Sequence, residues 1–158
     1  MAITYEPIST TTANGSVSTI TFSSIPSTYT DLILAANFGA SASTSLVGRF
    51  NSVSTNTYSN TRFTGSGSDK QASQTEFNIG NFSTSGIINS LICHIFNYTN
   101  TSFNKTALFR LGNQPGYVYA TAGLWRNNSA ITSITLNTGG GQNFTSGSVF
   151  TLYGIKTA

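Results

Sequence analysis

Ionisable groups are what this chain has least of. Four of its 158 residues are acidic, seven are basic and one is histidine, so charged residues make up 7% against roughly 25% in an ordinary soluble domain. Neither a coiled coil nor a charged disordered tail can be built from that composition. The formal charge of +3 comes from Arg49, Arg62, Lys70, Lys105, Arg110, Arg126 and Lys156, spread along the whole length without forming a run. Nucleic-acid binding, which needs clustered cations to neutralise a backbone, is therefore not expected. Cysteine is equally scarce. The single Cys93 excludes an intramolecular disulfide and a multi-cysteine zinc site, and amid apolar neighbours its thiol acts as a small buried hydrophobe. The longest apolar stretch, 87–96, is interrupted by Asn89, Ser90 and His94 and falls short of the ~20 residues that span a bilayer, so no membrane partner is expected. The opening Met1–Pro7 has no basic segment leading into an apolar core; a secretory leader is not expected, and synthesis in a cytoplasm is.

The same scarcity bears on catalysis. Glu6, Asp31, Asp69 and Glu76 are the only carboxylates, and glycoside hydrolysis by paired carboxylates needs two of them about 5 to 10 Å apart. Asp31 follows Thr28-Tyr29-Thr30 and Asp69 sits beside Lys70 in a Gly/Ser stretch; both read as solvated turn residues. Any nucleophile–histidine arrangement must use His94, which alternates with Cys93 along a strand and so faces the other way; it reads as structural. The run Gly139-Gly140-Gly141 lacks the Lys-Ser/Thr of a phosphate-binding loop and precedes no helix. The expectation is a protein with no enzymatic activity, no cofactor and no metal.

Hydroxyls and amides fill the space that charge leaves. There are 23 Ser, 25 Thr and 16 Asn, and aromatics reach 12%, side chains that suit strands and turns better than helix interiors. Strand-like segments recur over 16–25, 30–38, 46–53, 58–63, 75–79, 105–111, 117–125, 130–136 and 148–156, with period-two alternation over 16–25, 30–38 and 130–136, and 86–98 is apolar enough to be buried on both faces near the centre of a sheet. Nine or ten strands and no helix predict an all-β, antiparallel two-sheet sandwich of the jelly-roll type. No repeat of 20 to 50 residues is present. One sandwich domain is expected over 13–158, preceded by an extended arm over 1–12, because Pro7 cannot donate a ladder hydrogen bond. The core is expected to hold Phe22, Leu34, Phe38, Ile92, Ile134, Phe150 and Leu152. Tyr117, Tyr119, Trp125, Arg126 and Asn127 combine aromatic rings with polar neighbours and are the candidate contact for a partner or a glycan. The competing reading is that alternating aromatics are core or subunit interface.

Three stretches carry a resemblance. Val17-Ser18-Thr19-Ile20-Thr21-Phe22-Ser23-Ser24-Ile25-Pro26-Ser27-Thr28-Tyr29-Thr30-Asp31-Leu32, then Leu124-Trp125 with Ala130-Ile131-Thr132-Ser133-Ile134-Thr135-Leu136, then Phe144 to Lys156 together resemble small virion proteins of tailed bacteriophages. Asn56-Thr57-Tyr58-Ser59 is a weaker match. The resemblance implies a jelly-roll fold used as a capsid decoration (cement) protein, or as a receptor- or glycan-binding head or tail fibre module. It also implies a place on the particle surface, synthesis in a host cytoplasm, and the major capsid protein or another virion protein as partner. No catalytic residue comes with it. A homotrimer is the expected assembly, since a trimer could bury the aromatic surplus between subunits.

Overall fold

A computed structural model describes residues 4–82, 88–113, 116 and 118–156. Among them every regular element is a strand: β1 (Tyr5–Thr12), β2 (Thr19–Phe22), β3 (Asp31–Phe38), β4 (Thr44–Phe50), β5 (Tyr58–Thr64), β6 (Gly67–Gln74), β7 (Phe77–Phe82), β8 (Asn89–Ile95), β9 (Lys105–Asn113), β10 (Val118–Trp125), β11 (Ile134–Thr138) and β12 (Val149–Ile155). They form an eight-stranded sheet, β1-β12-β3-β8-β9-β10-β5-β6, and a four-stranded sheet, β2-β11-β4-β7. All neighbours are antiparallel. The fold is a jelly-roll-like β-sandwich, as the alternation implies. Its first strands pair with its last: β1 with β12, and β2 with β11.

The inward face of each strand follows from its even or odd positions. Leu32, Leu34, Ala36 and Phe38 of β3, and Phe150 and Leu152 of β12, meet Ile20, Phe22, Ile134 and Leu136 of the small sheet in one buried cluster. Aromatic rings fill it, most of them edge to face. Phe38 contacts Phe82, Phe144 and Phe150 at 5.2 to 5.8 Å between ring centres, and Phe77 meets Phe50, Tyr58 and Phe109 at 4.8 to 5.3 Å. Such offset pairs stabilise beyond their buried area. Gly123 is required by this packing, because a Cβ there would stand 2.6 Å from Cε1 of Phe77.

Two buried polar side chains fasten the loops at one end. The Tyr58 hydroxyl accepts from the Phe50 N–H at 3.0 Å and lies 3.1 Å from the carbonyls of Phe50 and Val53; burial pushes its phenol up to about 12. The Lys105 ammonium, fully buried, donates to the carbonyls of Asn100, Phe103 and Asn128. A buried cation is tolerable only with its donors satisfied in this way.

Four expectations are corrected. Among the described residues there are twelve strands, not nine or ten: β1 is one addition and β6 the other, which has no buried side chain and is held to β5 by its backbone ladder and the Arg62–Asp69 pair. The expected arm over 1–12 is, across its described residues, the edge strand β1. Pro7 is accommodated because an edge strand has a partner on one side only, and the register shifts between Pro7 and Ser9. Ile92 is not core: it is 44% exposed, whereas the other six expected core residues are buried. β8 does lie near the centre of the large sheet, but only one of its faces is buried.

Candidate functional site

Antiparallel sheets with one wet face normally alternate apolar inward and polar outward. The small sheet obeys this. Its outer face carries Thr19, Thr21, Thr135 and Asn137, and the hydroxyls of Thr21 and Thr135 lie 3.2 Å apart. The large sheet departs from it between β8 and β5. The register sets Phe63 of β5 opposite Ala120 of β10, Ala120 opposite Arg110 of β9, and Arg110 opposite Ile92 of β8. One step along, Thr61, Ala122, Leu108 and His94 form the neighbouring row. Phe63, Ile92, Leu108 and Val118 are between 44% and 68% exposed, so no part of the described chain covers them. Two shallow depressions mark this face. One, of about 440 Å³, is lined by Phe63, Ile92, Leu108, Arg110 and Ala120; the other, of about 630 Å³, by Lys70, Ala72, Phe96, Leu108, Ala122 and Leu124.

His94 closes one edge of the patch. Its Nε2 lies 2.9 Å from Oδ2 of Asp31, whose Oδ1 accepts the N–H of Asn97 at 2.8 Å. The Phe96 ring lies 3.9 Å from the imidazole, centre to centre. Asp31 is thus a half-buried strand residue with two partners, not a solvated turn residue. Asp69 is corrected in the same sense: on β6 it takes a bidentate pair from Arg62, Nε to Oδ1 at 3.1 Å and Nη2 to Oδ2 at 2.9 Å. Glu6 accepts from Lys156 at 2.8 Å and from the Tyr29 hydroxyl at 3.1 Å. Glu76 lies 2.7 Å from Arg49. Every side-chain carboxylate in the chain therefore already faces a cation or the imidazole.

The candidate contact predicted from sequence does not assemble as a surface. Tyr117 lies outside the described residues. Tyr119 and Trp125 occupy the inner face of β10, at 5% and 0% exposure, with the Arg62 guanidinium 5.5 Å from the Tyr119 ring centre. Arg126 is tied to the Ser59 hydroxyl and to the Asn56 carbonyl, the latter at 2.8 Å, while Asn127 accepts the Ser129 N–H at 2.8 Å. Inward-facing aromatics, the competing reading, describe Tyr119 and Trp125. The residues that do make an exposed apolar surface, Phe63, Ile92 and Leu108, were expected in strands but not as a site. The one sequence signal concerns Ile92 alone: the segment 86–98 is apolar at both parities.

Cys93 points into the core, and burial pushes its thiol up, which suppresses the reactive thiolate. Among the described residues no group of three His, Cys, Asp or Glu side chains is placed to hold a metal ion, and no helix is long and apolar enough to cross a membrane. No family model matches the chain, and neither a curated protein nor a solved structure does.

Proposed function

We propose that the protein is a non-enzymatic structural component of a bacteriophage particle, specifically a decoration (cement) protein. In this reading it is made in the host cytoplasm, assembles as a homotrimer, and seats on the outer shell against the major capsid protein or another virion protein. The observation that carries the reading is the uncovered apolar face of the large sheet, on a molecule whose other sheet faces water with threonine and asparagine. A patch of that kind on a soluble β-sandwich serves attachment. Fully burying an exposed Ile, Leu, Val or Phe gains about 1.5–3 kcal/mol; Phe63, Ile92, Leu108 and Val118, each about half exposed, would gain about half of that apiece, and together they are sufficient anchors for an interface. The sequence resemblance points the same way.

A second observation favours a receptor- or glycan-binding fibre module. At the β5–β6 turn a groove of about 580 Å³ is lined by Arg62, Ser66, Ser68, Asp69, Asn81 and Tyr119, a set of hydroxyls, amide and ion pair suited to a polyhydroxylated ligand. One experiment separates the two. Particles lacking the protein are heated beside complete ones, and the protein is then added back. The decoration reading expects the deficient particles to open at lower temperature, addition to restore them, and host adsorption to be unchanged. Deficient particles that resist heat as well as complete ones but lose adsorption would replace it with the fibre reading.

A further inference from the structure

We infer that the outer face of the large sheet docks an acidic protein partner, and not a second copy of this chain. The partner surface is apolar at its centre and carries one carboxylate for Arg110 and another for Lys70. This deepens the decoration reading and rests on it.

Arg110 stands in the middle of the patch. Across the strands its neighbours are Ile92 and Ala120, and it lines the same depression as Leu108 and Phe63. Lys70 lies on the same face, opposite Thr61 and beside the second depression. Among the described residues neither has an acidic partner; the chain's carboxylates lie against Arg49, Arg62, His94 and Lys156 instead. A guanidinium buried in an apolar interface without a counter-charge is strongly unfavourable, so whatever covers this face must bring one.

A second copy cannot do so. Glu6, Asp31, Asp69 and Glu76 are already held at 2.7 to 2.9 Å by a basic group of their own chain. A two-fold packing of the patch on itself would also bring like charges together, and a cyclic packing would still find no free side-chain carboxylate. The homotrimer must then use another surface. The size of the patch agrees with a protein partner: at about 4.8 Å between strands and about 6.8 Å per two residues, the four strands β8 to β5 and four outward rows cover about 14 Å by 20 Å. That suits the apolar core of a standard interface with a polar rim. On the same spacing Arg110 and Lys70 are about 16 Å apart, which sets the separation of the two partner carboxylates.

The test uses particles lacking the protein as the probe, with the full chain added as wild type, as Arg110→Glu/Lys70→Glu, and as Ile92→Ser/Leu108→Ser. Bound protein is measured by co-sedimentation, the mass of free protein by analytical ultracentrifugation, and folding by thermal melt. All four substituted side chains point outward, so the variants should melt with the wild type. The expected result is that both variants lose about tenfold or more in particle affinity while keeping the wild-type mass in solution. Charge reversal that leaves particle binding unchanged overturns the inference and leaves the decoration reading standing. A fall in oligomeric mass of the Ile92→Ser/Leu108→Ser variant also overturns it, by showing a second copy on the face. So does wild-type binding to vesicles of equal parts phosphatidylcholine and phosphatidylglycerol that charge reversal abolishes, since the acidic surface is then a lipid. Wild type that fails to bind the particles removes the decoration reading itself.

Discussion

Phe150 and Ile92 sit two strands apart in one sheet and differ only in which way they face. Phe150 is fully buried and packs against Phe38 and Phe144; Ile92 is 44% exposed on the outer face. Truncating each to alanine should therefore separate stability from attachment. Phe150→Ala leaves a cavity among rings that cannot collapse, at a cost of about 3–5 kcal/mol, and should lower the melting temperature sharply. Ile92→Ala removes atoms that are already partly in water, and the expected change is within about 0.5 kcal/mol. A denaturant series on the isolated variants checks both. A large loss for Ile92→Ala would mean that its side chain is covered within the free protein, which would undo the case for an open face.

At the scale of elements, legibility tracks what holds each strand in place. β3, β10 and β12 were readable because hydrophobic burial fixes their parity: Leu32, Leu34, Ala36 and Phe38 must all face one way. β6 was not, since Gly67-Ser68-Asp69-Lys70-Gln71-Ala72-Ser73-Gln74 has no apolar rhythm, and it is held as a strand by its tight turn from β5, the backbone ladder and the cross-strand Arg62–Asp69 pair. β8 misled because apolar residues at both parities satisfy a doubly buried strand and an exposed sticky one equally well. The Asp31–His94 pair was invisible, as its members are 63 residues apart in sequence and nothing local brings them together. β1 was hidden by Pro7, and its attachment yields a pH prediction. The hydrogen bond from Lys156, then that from Tyr29, holds the Glu6 carboxyl below its ordinary 4.5. The unfolded chain therefore binds more protons than the folded one between that lowered value and 4.5, and stability rises with pH across the window. The contribution is present above 4.5 and lost as pH falls through the lowered value. Hydrogen-exchange protection should thus fall at the β1–β12 ladder on acidification before it falls at the β3–β8 ladder; simultaneous loss would show that Glu6 does not fasten the edge.

On the scale of the whole molecule, the two ends of the described chain meet. The Lys156 N–H donates to the Thr4 carbonyl at 3.2 Å, and Tyr5 pairs with Ile155, so a short linker can join them without moving a strand. Chain breaks are tolerated where the backbone is exposed and lightly bonded. The Gly65–Ser66 turn meets that condition: both residues are exposed, and a Cβ at Gly65 would meet nothing within 4 Å. The loop between β8 and β9 does not, because Tyr98 is buried there and Lys105 binds the carbonyls of Asn100 and Phe103. A permutant joined at 156–4 and opened at 65–66 should melt within a few degrees of wild type, whereas one opened between Asn100 and Thr101 should lose several kcal/mol, the order expected when buried donors and acceptors lose their partners. The same geometry bears on attachment. The joined ends lie at the β1–β12 edge, about 14 Å from β9 at three strand spacings, so a folded domain fused at either end stays off the apolar face. Fusion should leave particle binding at the wild-type level even where the added domain is bulky. Fusions that fold, melt normally and no longer bind would move the docking surface to the β1–β12 edge, where Thr10 and Thr151, not Leu108 and Arg110, would meet the partner.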